Sequence, residues 1–261
     1  MALADYIDRK PNIDTPRLRL RPMTAADVPA LTEWMPDRSI YTYWGKGPSK
    51  CDKNPKLMFE KAEKPSKSFH LGIEERESGK IIGDLWVYLI ENDRMATVAI
   101  RIASASQGKG CGTEALSAMT RFCFTHTELQ RLWAKVDARN IPSQRMLDKC
   151  GYQREGLIRQ GKMVNSWCDY YIYAILAEDL RTAVDRVTKM ETLFDMLTYA
   201  VRKLPELTDE HRQAAKTLSD YLDGEWKFDY RLDESGMLPS DLKRGVLSQD
   251  GLYNLLTDIE S

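Results

Sequence analysis

Cysteine is sparse and unpaired in pattern: Cys51, Cys111, Cys123, Cys150 and Cys168 are an odd number, widely spaced, with no Cys-x-x-Cys pair. Histidine is scarcer still, with three in 261 residues. Neither a disulfide framework nor a zinc site is expected, and no metal is assigned. No segment approaches the roughly 20 consecutive apolar residues that span a bilayer, and Met1–Lys10 lacks an apolar core of signal-peptide length. A cytoplasmic protein is the expectation. The formal net charge is only −1, so neither a nucleic-acid partner nor a membrane-surface partner is expected.

What is present is enough apolar material, 43% of the chain, to bury one substantial core and a smaller one. The charge is divided unevenly: 11 Lys and Arg against 16 Asp and Glu from Arg181 onward, and 27 against 23 before it. The basic part suits a polyanion, although so small an imbalance also arises by chance.

Arg17-Leu18-Arg19-Leu20-Arg21 alternates strictly up to Pro22 and reads as a half-buried strand. Thr24 offers a cap to a helix with Val28, Leu31, Trp34 and Met35 on one stripe, ended by Pro36. Residues 37–66 read as irregular structure around a short helix, rich in aromatic side chains. Tyr41 and Trp44 from this segment, with Trp86 downstream, are candidates for lining a substrate cleft, and packing beneath the loop is an equal alternative. Strands are predicted over Ser68–Glu74, Lys80–Ile90 and Met95–Ile102, joined by turns at Ser78-Gly79 and Asn92-Asp93, which makes an antiparallel meander. The period then changes. Glu114–Thr125 carries Ala115, Leu116, Met119, Phe122 and Cys123 on one helical stripe, and Arg131–Ala138 returns to alternation. Pro142–Lys149 reads as a short helix stopped by Gly151, and Asp169–Leu176 as a final strand.

Between strand and helix stands Gln107-Gly108-Lys109-Gly110-Cys111-Gly112-Thr113. Its three glycines let the backbone turn tightly and direct several N–H groups into one concavity, next to the positive end of a helix dipole. Phosphate binds in such places, although a Gly-rich loop by itself can also be a plain tight turn. A P-loop would need Lys-Ser/Thr after the glycines, and a dinucleotide loop would follow the first strand of its domain; neither condition is met.

The pattern Gln/Arg-x-x-Gly-x-Gly/Ala, matched by Gln107, Gly110 and Gly112, resembles the acetyl-CoA pyrophosphate loop of the GNAT superfamily. Asn140-x-x-Ser143, Lys149-Cys150-Gly151-Tyr152 and Glu155-Gly156 look like the second cofactor motif of that superfamily. Thr15-Pro16-Arg17-Leu18-Arg19-Leu20-Arg21 is similar to the first strand of its ribosomal-protein-alanine acetyltransferase branch. The likeness runs from about Ile13 to Leu180. It implies an α/β (α+β) GNAT fold: a mostly antiparallel mixed sheet with a central parallel pair that splays apart, and flanking helices. Pantetheine would lie in the gap along Ile100 and Ile102, the pyrophosphate on Gln107–Thr113, and Asn140 and Ser143 would face the cofactor. The activity implied is transfer of acetyl from acetyl-CoA to a primary amine, on a protein N-terminus or a small molecule, by direct attack in a ternary complex. A non-catalytic acyl-CoA-binding module is the alternative.

That alternative has a reason. Many members of the superfamily place a tyrosine acid seven residues after the motif asparagine, where this chain has Leu147, and a glutamate base where it has Thr97. Ser143 is the substitute candidate for the acid. Glu155 and Asp169 are candidates for the base, with Glu33, Asp84 and His70 as further options. An α-amine, of pKa near 8, needs less help with deprotonation than lysine, near 10.4.

The expected division is residues 1–180 for the acetyltransferase domain and 181–261 for a small acidic helical domain. In the latter, Val184, Val187, Met190, Leu193, Phe194, Leu197, Val201 and Leu204 make one stripe, Thr208 caps a second helix through Leu222, and Ser248 caps a last one. This part resembles a small helical domain of unknown function. It folds as its own bundle on the plain reading and serves dimerisation, a homodimer included, or partner recruitment on the sharper one.

Overall fold

The computed structural model describes residues 3, 5, 6, 10–60, 68–92 and 94–260. Asp93, residues 61–66 of the aromatic loop and most of Met1–Lys10 lie outside the described residues. The chain divides into two compact units, Met1–Ala177 and Glu178–Ser261.

The first unit contains strands β1 (Ile13–Asp14), β2 (Leu18–Arg21), β3 (Phe69–Glu75), β4 (Ile81–Glu91), β5 (Met95–Ile102), β6 (Arg131–Asp137), β7 (Gln153–Met163) and β8 (Ser166–Leu176). Among the described residues they form one sheet in the order β1-β2-β3-β4-β5-β6-β8-β7. Neighbours are antiparallel throughout except for β5 and β6, which run parallel. In β2 the alternation works as expected, burying Leu18 and Leu20 and leaving Arg19 and Arg21 toward solvent. Helix α1 (Val28–Trp34) follows a 3-10 turn at Ala25–Asp27, where Asp27 accepts from the Thr24 amide at 2.7 Å.

The parallel pair requires a crossover, which helix α2 (Cys111–His126) supplies. Its stripe of Ala115, Leu116, Met119 and Cys123 is buried, so apolar burial holds it to the sheet. Helix α3 (Ile141–Lys149) is capped by the Asn140 side chain, which accepts from the Ser143 amide, and it closes at Gly151, whose φ of 74° suits a residue without Cβ. The helix after the Gly-rich loop starts at Cys111, so Cys111–Thr113 form its first turn. One sequence expectation changes. Gln153–Met163 is a strand that went unforeseen, because it lies at the sheet edge, exposed along almost its whole length, and so has no apolar alternation to show.

The second unit contains α4 (Ala177–Lys203), α5 (Asp209–Asp223), α6 (Trp226–Glu234) and α7 (Gln249–Glu260). Leu197, Leu218, Leu232, Val246 and Leu252 are among its buried core. Within it the fully buried Asp229 accepts from Arg186 Nε at 2.7 Å and from the Tyr221 hydroxyl at 3.0 Å. Trp226 Nε1 donates to the Val246 carbonyl. Among the described residues, no helix of the chain is long and apolar enough to cross a membrane.

Candidate active site

Strands β5 and β6 pair only at Met95↔Arg131, Ala96↔Leu132 and Thr97↔Trp133. Beyond that register β5 continues to Ile102 along β4, and β6 to Asp137 along β8, without pairing with each other. A cavity of about 240 Å3 opens in the gap. Side-chain alternation assigns its walls to the two faces of the sheet. One face contributes Val98, Ile100, Ala134 and Val136, with Leu116 from α2 and Asn140, Ser143, Met146 and Leu147 from α3 and its cap. The other contributes Tyr88, Thr97, Trp133, Lys135 and Asp137. Tyr43 and Trp44 join from the loop after α1, and Lys162, Met163 and Val164 from the β7–β8 hairpin. The loop is fastened to the hairpin by the Asn165 amide, which donates to the Gly45 carbonyl at 3.2 Å.

The ladder also fixes which peptide groups line the gap. The Ala103 amide donates to the Ile82 carbonyl at 2.8 Å, so 103, 101 and 99 bond toward β4, and the peptide groups of Val98, Ile100 and Ile102 point toward β6. One of them is already engaged: Gln107 Nε2 donates to the Ile102 carbonyl at 2.9 Å. The Thr97 hydroxyl, on a residue 2% exposed, lines the cavity and has no hydrogen-bond partner among the described residues.

At the end of β5 the Gly-rich loop turns into α2. Gly108 and Gly110 have φ of 75° and 82°, the left-handed region that favours glycine. A Cβ on Gly112 would stand 2.9 Å from Met146 Sδ, so the first turn of α2 lies close against α3. The first amides of α2 have no preceding turn to bond to, and the loop aims them outward with the positive end of the dipole. Arg17, at the start of β2, adds a formal charge. Its Nη1 donates to the Lys109 carbonyl at 2.9 Å, and Nη2 lies 3.3 Å from where a Gly110 Cβ would be. Glu114 holds it there, accepting from Arg17 Nε and from the Thr15 hydroxyl at 2.6 Å each, and from the Arg17 amide at 2.9 Å. Burial works against the Glu114 charge, but the hydrogen bonds from Thr15 and Arg17 outweigh it and hold the carboxyl below its ordinary range.

A glycine cradle of free amides beside an arginine, continuous with an unpaired strand edge, fits a long ligand with a diphosphate at one end and an amide-bearing arm at the other. The family model for the acetyltransferase (GNAT) domain matches residues 17–153, just over half of the chain. The chain belongs to the GNAT acetyltransferase family.

A second model, domain of unknown function (DUF4298), matches residues 187–261 of the acetyltransferase. Among curated relatives, a probable N-acetyltransferase of Bacillus subtilis, YjcK, is 32% identical over 123 residues, 46% of this chain and 67% of the relative. The ribosomal-protein-S5-alanine acetyltransferase of Vibrio fischeri superposes with a TM-score of 0.56 at 20% identity, covering 65% of this chain and 98% of that one. The spermidine N-acetyltransferase of Vibrio cholerae, solved with CoA and spermine, gives 0.55 at 21%, covering 63% and 98%. At these identities the two structures speak to the fold. The acetyltransferase uses acetyl-CoA and acts on amines, as its family does.

The residues singled out in the sequence separate in space. Ile100, Asn140, Ser143 and Trp44 line the cavity, and Gln107–Thr113 lie just outside it, past the end of β5. Tyr41 and Trp86 do not line it. They belong to a buried box around Arg101, whose guanidinium lies 5.3 Å from the Tyr41 ring, 4.6 Å from Trp86 and 5.6 Å from Trp34. Arg101 Nε bonds Asp84 at 2.9 Å and Nη1 bonds Asp52 at 2.9 Å and the Tyr41 hydroxyl at 2.7 Å. Burial alone would discharge Arg101, but Asp84, Tyr41 and Asp52 outweigh it and raise its pKa above the ordinary value. His70 Nε2 meets the same Asp84 carboxylate at 2.9 Å.

Neither base candidate lies in the cavity lining. Glu155 is held by Arg131 through both oxygens, beside the register where β5 and β6 are still paired. Asp169 accepts from the Gln160 amide at 2.7 Å. Glu33 pairs with Lys80 at 3.2 Å. Sequence reading singled out Thr97 only as the place of a family base, and it missed Arg17 as a neighbour of the loop and Lys135 and Lys162 as cavity residues. For Arg17 the signal was its place at the head of the Arg17–Arg21 alternation. For the lysines there was none, since a solvated charge on a strand looks the same anywhere.

Proposed function

We propose that the acetyltransferase transfers acetyl directly from acetyl-CoA to an α-amine, at a protein N-terminus or on a small molecule, with both substrates bound at once. The observation that carries this reading is the cavity passing between the faces of the sheet where β5 and β6 part. The α2 and α3 side would take the pantetheine arm, bonded as an added strand by the Val98 carbonyl and the Ile100 peptide groups, which lie past the last β5–β6 pair. The Gly108–Thr113 turn with Arg17 would take the pyrophosphate. The amine would enter from the Tyr43, Trp44 and Trp133 side. Its nitrogen attacks the thioester carbonyl carbon, the C–N bond forms and the C–S bond breaks. The amine gives up one proton and the departing thiolate takes one. Ser143, whose backbone is fixed by the Asn140 cap, is the proton donor of this reading. With no unpaired carboxylate among the described residues that line the cavity, an amine of pKa near 8 is favoured over lysine.

Initial rates over a grid of acetyl-CoA and peptide concentrations test the reading. Intersecting double-reciprocal lines are expected. Parallel lines, with an acetylated enzyme trapped on a side chain, would overturn direct attack.

A further inference from the structure

The charges of the cavity define which α-amines enter it, and this inference rests on the reading just given. Asp137 is the one carboxylate among the described lining residues, and it is not free. It is buried and accepts from the Arg139 amide and Nε at 2.9 Å each and from Nη2 at 2.6 Å. Two cations remain. Lys135, on β6 and on the same face as Trp133 and Asp137, is exposed, and its Nζ lies 5.7 Å from the Trp133 ring and 5.2 Å from the Tyr170 ring. Aromatic faces hold an ammonium in place without cancelling its charge. Lys162, also exposed, projects from the β7–β8 hairpin into the same lining. Neither lysine has an ion-pair partner among the described residues.

The Thr97 hydroxyl, also in the lining, is neutral and has no hydrogen-bond partner among the described residues. A polycationic amine therefore meets two like charges and no unpaired carboxylate among the described lining residues. An amine with an anionic group beside it meets the reverse. We infer that the acceptor is an α-amine flanked by carboxylate, selected by Lys135 and Lys162, with Thr97 accepting from the amine nitrogen. The carboxylate comes either from a free acidic amino acid or from acidic residues next to a peptide N-terminus.

The test uses the full chain with acetyl-CoA and three tetrapeptides of one N-terminal residue: Ser-Asp-Glu-Phe, its neutral counterpart Ser-Asn-Gln-Phe, and Ser-Lys-Arg-Phe. Free glutamate is the fourth acceptor. The expected order of kcat/KM is acidic over neutral by about tenfold and over basic by about a hundredfold, carried in KM and weakened by salt. In the Lys135→Gln, Lys162→Gln double variant the acidic preference falls to within about threefold, and Lys135→Glu with Lys162→Glu inverts it toward the basic peptide. Both lysines are exposed, and thermal melts confirm that the variants fold. Turnover of glutamate at the rate of the acidic peptide identifies a small-molecule source of the carboxylate, and turnover of the peptide alone a polypeptide source. Equal kcat/KM for the acidic and neutral peptides in the parent enzyme overturns the inference and leaves acetyl transfer standing. Turnover of none of the four overturns both.

Discussion

Single residues around the Gly-rich turn do work that their neighbours cannot share. At Gly110, φ of 82° excludes most side chains, and Arg17 Nη2 already occupies the space a Cβ would approach. Gly110→Asp adds backbone strain of about 1 kcal/mol and a negative charge beside the pyrophosphate position. Acetyl-CoA affinity, measured by calorimetry on the folded variant, is expected to fall at least about tenfold; an unchanged Kd would show that the diphosphate lies elsewhere. Glu114 links β2 to α2 through Thr15 and Arg17. Because its carboxyl titrates below the ordinary 4.5 in the folded chain, its stabilisation is complete above that pH and lost as the pH falls through the folded value. Urea titrations of Glu114→Gln against the parent are expected to differ by about 1–3 kcal/mol at pH 7 and to converge as the pH falls through the lowered folded value.

These residues were unequally legible from the sequence. Gly108, Gly110 and Gly112 announced a turn that exposes amides, and Asn140 announced a cap, because such roles are decided within a few residues along the chain. Gln107 was read as a cofactor residue, and its side chain donates to the Ile102 carbonyl at the end of β5. Arg17 and Glu114 are 97 positions apart. Nothing local marks such a pair, and only the closure of the sheet brings it together.

At the scale of elements, the strand and helix period located most of the first unit, and Met95–Ile102 matched to the residue. Failures fell where the pattern itself is weak. Strand β7 is solvated along its length, and α6 buries Trp226, Asp229 and Leu232, a stripe interrupted by an aspartate whose partner, Arg186, is on another helix. The β3–β4–β5 face carries a comparable arrangement in Arg101, Asp84 and Asp52. Arg101→Met removes the cation and leaves two buried carboxylates, with an expected loss of about 3–5 kcal/mol in denaturant unfolding. A loss below about 1 kcal/mol would mean that water reaches the cluster. Ser143→Ala tests α3 as a catalytic element: kcat is expected to fall about 10–100-fold with KM for acetyl-CoA nearly unchanged, since the Asn140 cap bonds the Ser143 backbone and survives.

For the whole molecule, the division at Ala177 and Glu178 puts Asp229 and the candidate site in different units. Asp229 is fully buried, with Arg186 and Tyr221 as partners. Asp229→Ala is expected to raise hydrogen exchange across α4 to α7, at a cost of about 3–5 kcal/mol to that unit, while acetyl-CoA affinity stays within about twofold. A large loss of affinity would show that the second unit supports the site.

The three residue pairs that join β5 to β6 leave the centre of the sheet unfinished, with peptide groups that the proposed ligand would bond. Such a protein should be more durable when fed. Ligand held by the folded chain and not by the unfolded one adds about 2.7 kcal/mol at a hundred times its Kd. The lifetime of the enzyme against heat and proteases would then rise and fall with the supply of its own acyl donor, and starvation would thin its numbers before it slowed any single molecule.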